Sequence, residues 1–281
     1  MRRVYMRCVL DKVLTRRSIG VVLFLCAVVP ALFPTTLTIA GGTTPENIVA
    51  AIDGDLSTYS RYDVGFNIDP VLRKLVYGGA TFNMWLFRFG IGAFFSAFNE
   101  GGVKYAPGFS GSVGIEAPGV ISVYVEYGLN PFPHLSSDSE VHADYGKLEA
   151  AIWLPHIRPR FIMQRKSLTV EPAGNYFLDD SLVRYQVLLD IFFKTSPFLI
   201  TLGAGTETLH KISKPLPTAA PSVRRKETET ASTFASLEVS WNIYPAWTLF
   251  LNVEAPLSSQ GETALFKAAV GLKIALSDFF E

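Results

Sequence analysis

The stretch ISVYVEYGL, Ile121 to Leu129, sets Ile121, Val123, Val125, Tyr127 and Leu129 on one face and Ser122, Tyr124, Glu126 and Gly128 on the other. A period of two belongs to a β-strand, whose successive side chains point to opposite faces; an apolar row this regular needs an apolar medium along its length. The alternation returns in Leu237, Val239, Trp241 and Ile243 against Ser236, Glu238, Ser240 and Asn242. It returns in Trp247, Leu249, Leu251 and Val253 against Thr248, Asn252 and Glu254, and in Phe266, Ala268, Val270, Leu272, Ile274 and Leu276 against Lys267, Gly271 and Lys273.

The composition narrows what that medium is. The 281 residues are 49% hydrophobic and 13% aromatic, with 25 basic and 25 acidic side chains. Beyond residue 40 no charge-free run reaches the ~20 apolar residues of a spanning helix. An apolar, aromatic-rich chain without spanning helices is a large β core or a β-barrel whose hydrophobic face meets lipid. Balanced charge argues against nucleic acid as a partner.

Residues 1–40 read as a secretory signal peptide: Arg2, Arg3, Arg7, Lys12, Arg16 and Arg17 precede the apolar run from Ile19 to Phe33, and Thr38 and Ala40 are small residues around a cleavage point. Cleavage there leaves a net charge of −5, since six basic residues and Asp11 depart. Cys8 and Cys26 both fall in this segment, so the mature chain is expected to carry no disulfide, cysteine metal site or cofactor.

From residue 81 onward the alternating segments are arranged as hairpins. Short turns fall at 117–119, 155–157, 195–197 and 244–246, and longer polar connections at 130–144, 171–180 and 211–230. Short periplasmic turns opposite long extracellular loops mark a transmembrane barrel. Trp153, Trp241, Tyr244 and Trp247 stand beside the short turns, where an aromatic girdle at the headgroup level belongs. The expected fold is an all-β, up-and-down antiparallel transmembrane β-barrel over 81–281 with about ten strands, within a range of 8–12. Residues 41–80 are expected to form an N-terminal extension with short helices, periplasmic or plugging the lumen. Thr44-Pro45-Glu46 and Asp69-Pro70 before VLRKLVY are helix-start signals. YSRYDVGFNI reads as one further strand, but an eleventh would break the even count.

With hairpins such as SLEVSWNIYPAWTLFLNVEAP, 236–256, the chain resembles a small integral outer-membrane β-barrel protein of diderm bacteria, with a spirochaete-like flavour. The resemblance covers roughly 81–281 and rests on architecture. It implies a location in the cell outer membrane, surface-exposed loops, contact with outer-membrane lipid, and assembly by the barrel-assembly machinery. Gly271, Ile274 and Leu276 are similar to the C-terminal signal that this machinery reads; the chain departs from it by ending in Glu281.

The polar parity carries the candidate lumen residues Arg88, Glu126, Lys147, Glu149, Arg158, Arg160, Arg184, Asp190, Glu238, Glu254, Lys267 and Lys273, together with Glu116, Lys166 and Glu207. Near-balanced charges in a narrow barrel are expected to pair across strands, Glu126 with Lys147 and Glu254 with Lys267. The reading is a non-enzymatic, porin-like barrel. It either passes small solutes or hydrophobic ligands, or meets host surface ligands through loops 130–144, 171–180 and 211–230. One alternative is a soluble periplasmic β-barrel or sandwich that binds a ligand. Another is an outer-membrane barrel hydrolase using His134, His142 or His210 with Asp138, Asp144, Asp179 or Asp180, although sequence proximity supplies no hydrogen-bond geometry.

Overall fold

The computed structural model describes residues 35–99, 103–135, 139–172, 176–193, 196–215, 226–244, 246–261 and 265–276. The segment 1–34 of the expected signal peptide, most of the tip of the 211–230 connection, and Asp138 lie outside them. The strands are β1 (Thr35–Gly42), β2 (Val49–Ser57), β3 (Ser60–Asp69), β4 (Arg73–Met84), β5 (Phe87–Asn99), β6 (Val103–Ala117) and β7 (Ile121–Leu129), then β8 (Ser139–Ile152), β9 (Ile157–Pro172), β10 (Tyr176–Phe192), β11 (Phe198–Pro215), β12 (Lys226–Tyr244), β13 (Trp247–Gly261) and β14 (Lys267–Ala275). Each pairs antiparallel with its neighbour, and β14 pairs with β1 from Thr36–Ala275 to Gly42–Ala269, closing the barrel.

The barrel has 14 strands, not ten, and lies outside the expected range of 8–12. All the added strands come from 35–84. Thr35–Ala40, assigned to the signal peptide, is most of β1. The expected helical extension 41–80 is mostly wall, β2, β3 and much of β4; its Thr44-Pro45-Glu46 helix start gives only one 3-10 turn, Pro45–Asn47, between β1 and β2. The chain turns between β4 and β5 at two residues, Trp85 and Leu86, where Trp85 takes φ 59°. Asp69 does cap backbone amides: its Oδ1 accepts the N–H groups of Val71 and Leu72, both at 2.9 Å, but they belong to a tight turn between β3 and β4. The count stays even, so β1 begins and β14 ends on the short-turn side.

The expected long loops are partly strand. β8 begins at Ser139, β9 runs to Pro172, β10 starts at Tyr176 and β11 runs to Pro215. The asymmetry is thus one of strand length, from eight residues in β1 to 19 in β12. Since about 9–11 tilted residues cross a bilayer, β8–β12 rise beyond it as a tall wall on the long-loop side.

Along that wall the two faces exchange character. On β9 the outward Ile157, Phe161 and Met163 give way to Arg165, Ser167 and Thr169, while the inward Arg158, Arg160, Gln164 and Lys166 give way to buried Leu168 and Val170. On β10 the outward Val187 and Tyr185 yield to Ser181 and Asp179 as the inward Asp190 and Arg184 yield to Leu182 and Leu178. β8 changes likewise, from outward Ile152 and Leu148 to Asp144 and His142. Apolar outside with polar inside is the pattern of wall in lipid, and the reverse is that of a protein in water. The crossover, through Asp144, Ser167 and Ser181 in one cross-strand row, marks the edge of the bilayer. The protein is a closed antiparallel β-barrel of the outer-membrane type, with an apolar core inside its lumen.

Candidate functional site

That core is built around the turn between β3 and β4. Pro70, Val71 and Leu72 fold into the lumen, where Val71 and Leu72 are fully buried against Leu75, Phe94, Phe98, Val141, Leu168, Val170, Leu178 and Leu182. Burying one such aliphatic side chain contributes about 1.5–3 kcal/mol. Ion pairs hold both ends of the turn to the far wall: Asp69 accepts from Lys166 of β9, and the Arg73 guanidinium reaches Asp180 of β10 at 2.5 Å. Arg73 also donates to the Pro70 carbonyl at 2.9 Å and takes the left-handed φ of 64°, a conformation that costs a non-glycine residue energy and is retained here by these contacts. The Ser96 hydroxyl donates to the Leu72 carbonyl.

The turn stands between two cavities. On the membrane side lies one of about 450 Å³, bounded toward the turn by Leu72, Leu75 and Phe94 and lined by Asp63, Tyr77, Arg88, Tyr124, Glu126 and Tyr145 among others. On the other side, Pro70 lines a cavity of about 180 Å³ with Glu207, Lys211, Glu254 and Lys267.

The sequence-derived lumen residues all stand on inward rows, and the pairing among them is specific. Glu126 and Lys147 are direct cross-strand neighbours, as are Glu254 and Lys267. Their bonds nevertheless go elsewhere. Lys147 pairs with Glu149 of its own strand at 2.7 Å, and Glu126 accepts the Tyr145 hydroxyl at 2.7 Å. Glu254 takes Arg184, which also reaches Glu207 at 3.0 Å and lies 4.3 Å over the Phe234 ring; Lys267 meets Glu207 at 3.3 Å. Other cross-strand neighbours do bond, Arg184 with Glu207 and Arg158 with Asp190, so register alone does not decide which partner a long side chain takes. Near the short-turn end Asp190 accepts from Arg158 at 2.6 Å and from Arg160 and Thr201 at 2.9 and 2.8 Å. Arg88 approaches Glu116 at 3.8 Å and covers the Tyr124 ring at 4.9 Å. Glu238 accepts from Ser240 and Asn252, and Lys273 lies over Phe250.

Of the expected girdle, Trp241, Tyr244 and Trp247 are exposed on the outer face, joined by Phe198, which stacks on Trp241 at 5.7 Å, and by Trp85. Trp153 is not a girdle residue. It shares inward parity with Ala151, stacks on Phe192 and carries the Arg158 guanidinium 4.3 Å over its ring, because the turn it occupies curls toward the lumen mouth. His134 and His142 both meet Glu140, and His210 meets Glu227, in exposed surface pairs on the long-loop side, with Asp144 bonded instead to Ser167. Among the described residues no group of three His, Cys, Asp or Glu side chains is placed to hold a metal ion.

Reading from sequence missed Asp53, Asp63, Asp69, Arg73 and Tyr77, all in 41–80. The signal was present in β3: Tyr62, Val64, Phe66 and Ile68 alternate with Arg61, Asp63, Gly65, Asn67 and Asp69.

Aromatic rings in the lumen lie against cross-strand glycines: Phe94 beside Gly108, Tyr145 beside Gly128 and Tyr77 beside Gly65. A Cβ at Gly108 would fall 2.2 Å from the Phe94 ring and 2.7 Å from the Leu129 carbonyl. Gly108→Val is therefore expected to push Phe94 off the turn and cost about 1–3 kcal/mol, read as a lower unfolding midpoint in detergent.

No protein-family pattern and no curated protein matches the chain. Among solved structures it is similar to an outer membrane channel from Pseudomonas putida F1, at 6% identity over 86% of this chain and 95% of that one with a TM-score of 0.47. It is similar to a loop-deleted form of OmpT, an outer membrane protein of Vibrio cholerae, at 9% identity over 86% and 96% with a TM-score of 0.41. A third likeness is to an anion-selective porin from Comamonas acidovorans, at 9% identity over 86% and 97% with a TM-score of 0.39.

Proposed function

We propose that the chain is an outer-membrane pore for small solutes that rests closed, with the Asp69–Arg73 turn as its internal barrier. The observation that carries this is the position of the turn between two lumen cavities, tied by ion pairs to the opposite wall. A turn whose only task was to join two strands would not be folded inward and latched. The protruding wall β8–β12 supports exposure of the long-loop side at the cell surface. On β14 the outward Val270, Leu272 and Ile274 with inward Gly271 support recognition by the barrel-assembly machinery.

Planar-bilayer recording tests the pore. The wild-type protein is expected to show small, infrequent current steps. The double variant Lys166→Ala, Asp180→Ala releases both latches and is expected to raise the open fraction or step size several-fold while still running as a compact band in unboiled SDS gels. Equal currents from the two folded proteins would remove the turn as barrier, and absence of steps from both would remove the pore.

A further inference from the structure

Among the inward rows of β4–β6, Gly79 of β4, Gly90 and Gly92 of β5, and Ser110 and Ser112 of β6 face one another in register. Small residues side by side on three adjacent strands leave a bay in the lumen wall, and this bay forms one side of the 450 Å³ cavity. Its size falls within the roughly 300–1,000 Å³ of small-molecule sites. Three tyrosines stand around it. A Cβ at Gly128 would lie 2.3–2.9 Å from three Tyr145 ring atoms, and one at Gly65 would lie 2.5–2.9 Å from the hydroxyl end of Tyr77, so each side chain packs over its cross-strand glycine at the edge of the bay.

The cavity's cations select no anion. Arg88 is occupied by Glu116 and the Tyr124 ring, Lys147 by Glu149 and Lys166 by Asp69, while Glu126 is held by the Tyr145 hydroxyl. An anion or zwitterion needs an uncommitted cation; these are committed to carboxylates. What remains on offer is a mixed set of donors and acceptors, including Gln164, Thr81 and Asp63, beside the Tyr77 and Tyr145 rings and the apolar boundary of Leu72 and Leu75. This combination suits a neutral solute dense in hydroxyls with apolar C–H faces, since the negative face of an aromatic ring attracts the positive edge of C–H groups.

We infer that the bay between β4–β6 and the three tyrosines is a binding site for a polyhydroxylated solute of one or two sugar rings. The inference deepens the pore reading by naming its solute class, but its test does not depend on current. The full chain is refolded in a detergent that carries no sugar, and saturation-transfer NMR is recorded with maltose and, separately, with the zwitterion L-glutamine. Transfer to the maltose ring protons is expected, with none to L-glutamine. Ser110→Phe, which fills the bay, and Tyr77→Leu, which keeps bulk but removes the ring face, are expected to bring the maltose signal to background. Thr230→Phe, in the other cavity, should retain it. All three are checked for folding by heat-modifiable gel mobility. No transfer in the wild type, equal transfer in all variants, or L-glutamine matching maltose would each overturn the site. A protein that binds maltose without conducting keeps the site and loses the pore. One that conducts without binding does the reverse.

Discussion

Val187→Arg on β10 is expected to lower the stability of the folded barrel by about 2–4 kcal/mol, whereas Ser181→Arg, on the same outward face, should change it by less than about 0.5 kcal/mol. Val187 is 59% exposed on the outside of the wall within the apolar band, so an arginine there must place its charge in hydrocarbon. Ser181 lies at the crossover, in the row with Asp144 and Ser167, where the outer medium changes from lipid to water. The inner face reverses the order. Leu178→Arg buries a cation in the apolar core around the turn, while Gln186→Arg puts one among the polar lumen side chains. Urea titration of the detergent-folded protein, followed by the fraction migrating as the compact form, measures all four. If Ser181→Arg and Val187→Arg cost the same, the bilayer edge is not where the faces exchange character.

Asp190→Ala is expected to cost about 3 kcal/mol in the same titration, the lower end for breaking a buried ion pair. The Asp190 side chain is 1% exposed and is the shared acceptor of two guanidiniums, themselves 22% and 21% exposed. Removing it leaves Arg158 without its counter-ion and Arg160 with Glu149 alone, at 3.6 Å. Their partial access to water keeps the cost from rising further. Asp190→Asn should cost less, because an amide oxygen still accepts from Thr201 and one arginine although the charge is gone. A loss equal to that of the alanine variant would mean that charge balance, and not hydrogen bonding, dominates this corner of the lumen.

The membrane-facing alternation of β5–β14 was legible in the sequence because lipid demands an apolar residue at every second position. Val123, Leu237 and Leu249 each have an apolar neighbour two residues on. β1 and β2 escaped because they are short and rich in small or polar residues: Thr38 and Ala40 mimic a cleavage site, while Asp53-Gly54-Asp55 mimics a turn. The start of β4 escaped because VLRKLVY mixes two environments. Val71 and Leu72 enter an apolar core inside the lumen, whereas Val76 faces outward among lipid-facing neighbours. A period-two rule assumes one inside and one outside along a whole strand. β8–β10 break that assumption at the bilayer edge, so their upper ends looked like polar loops. Which carboxylate Arg184 finds across the lumen depends on barrel closure, and no local pattern encodes it.

The ladder that closes the barrel, between β1 and β14, is short, while β10–β11 runs from Tyr176–Pro215 to Phe192–Leu199. Every other ladder joins strands adjacent in the chain; this one joins segments from opposite ends of the sequence, and closing so large a loop carries the largest entropy cost of any pairing here. The hairpins therefore have cause to zip first and this seam last, which puts the slowest step of assembly at a join with few hydrogen bonds to secure it. Breathing of the finished barrel is concentrated at the same place, beside β2, while the tall wall that carries the latches for the inward turn stays rigid on the opposite side.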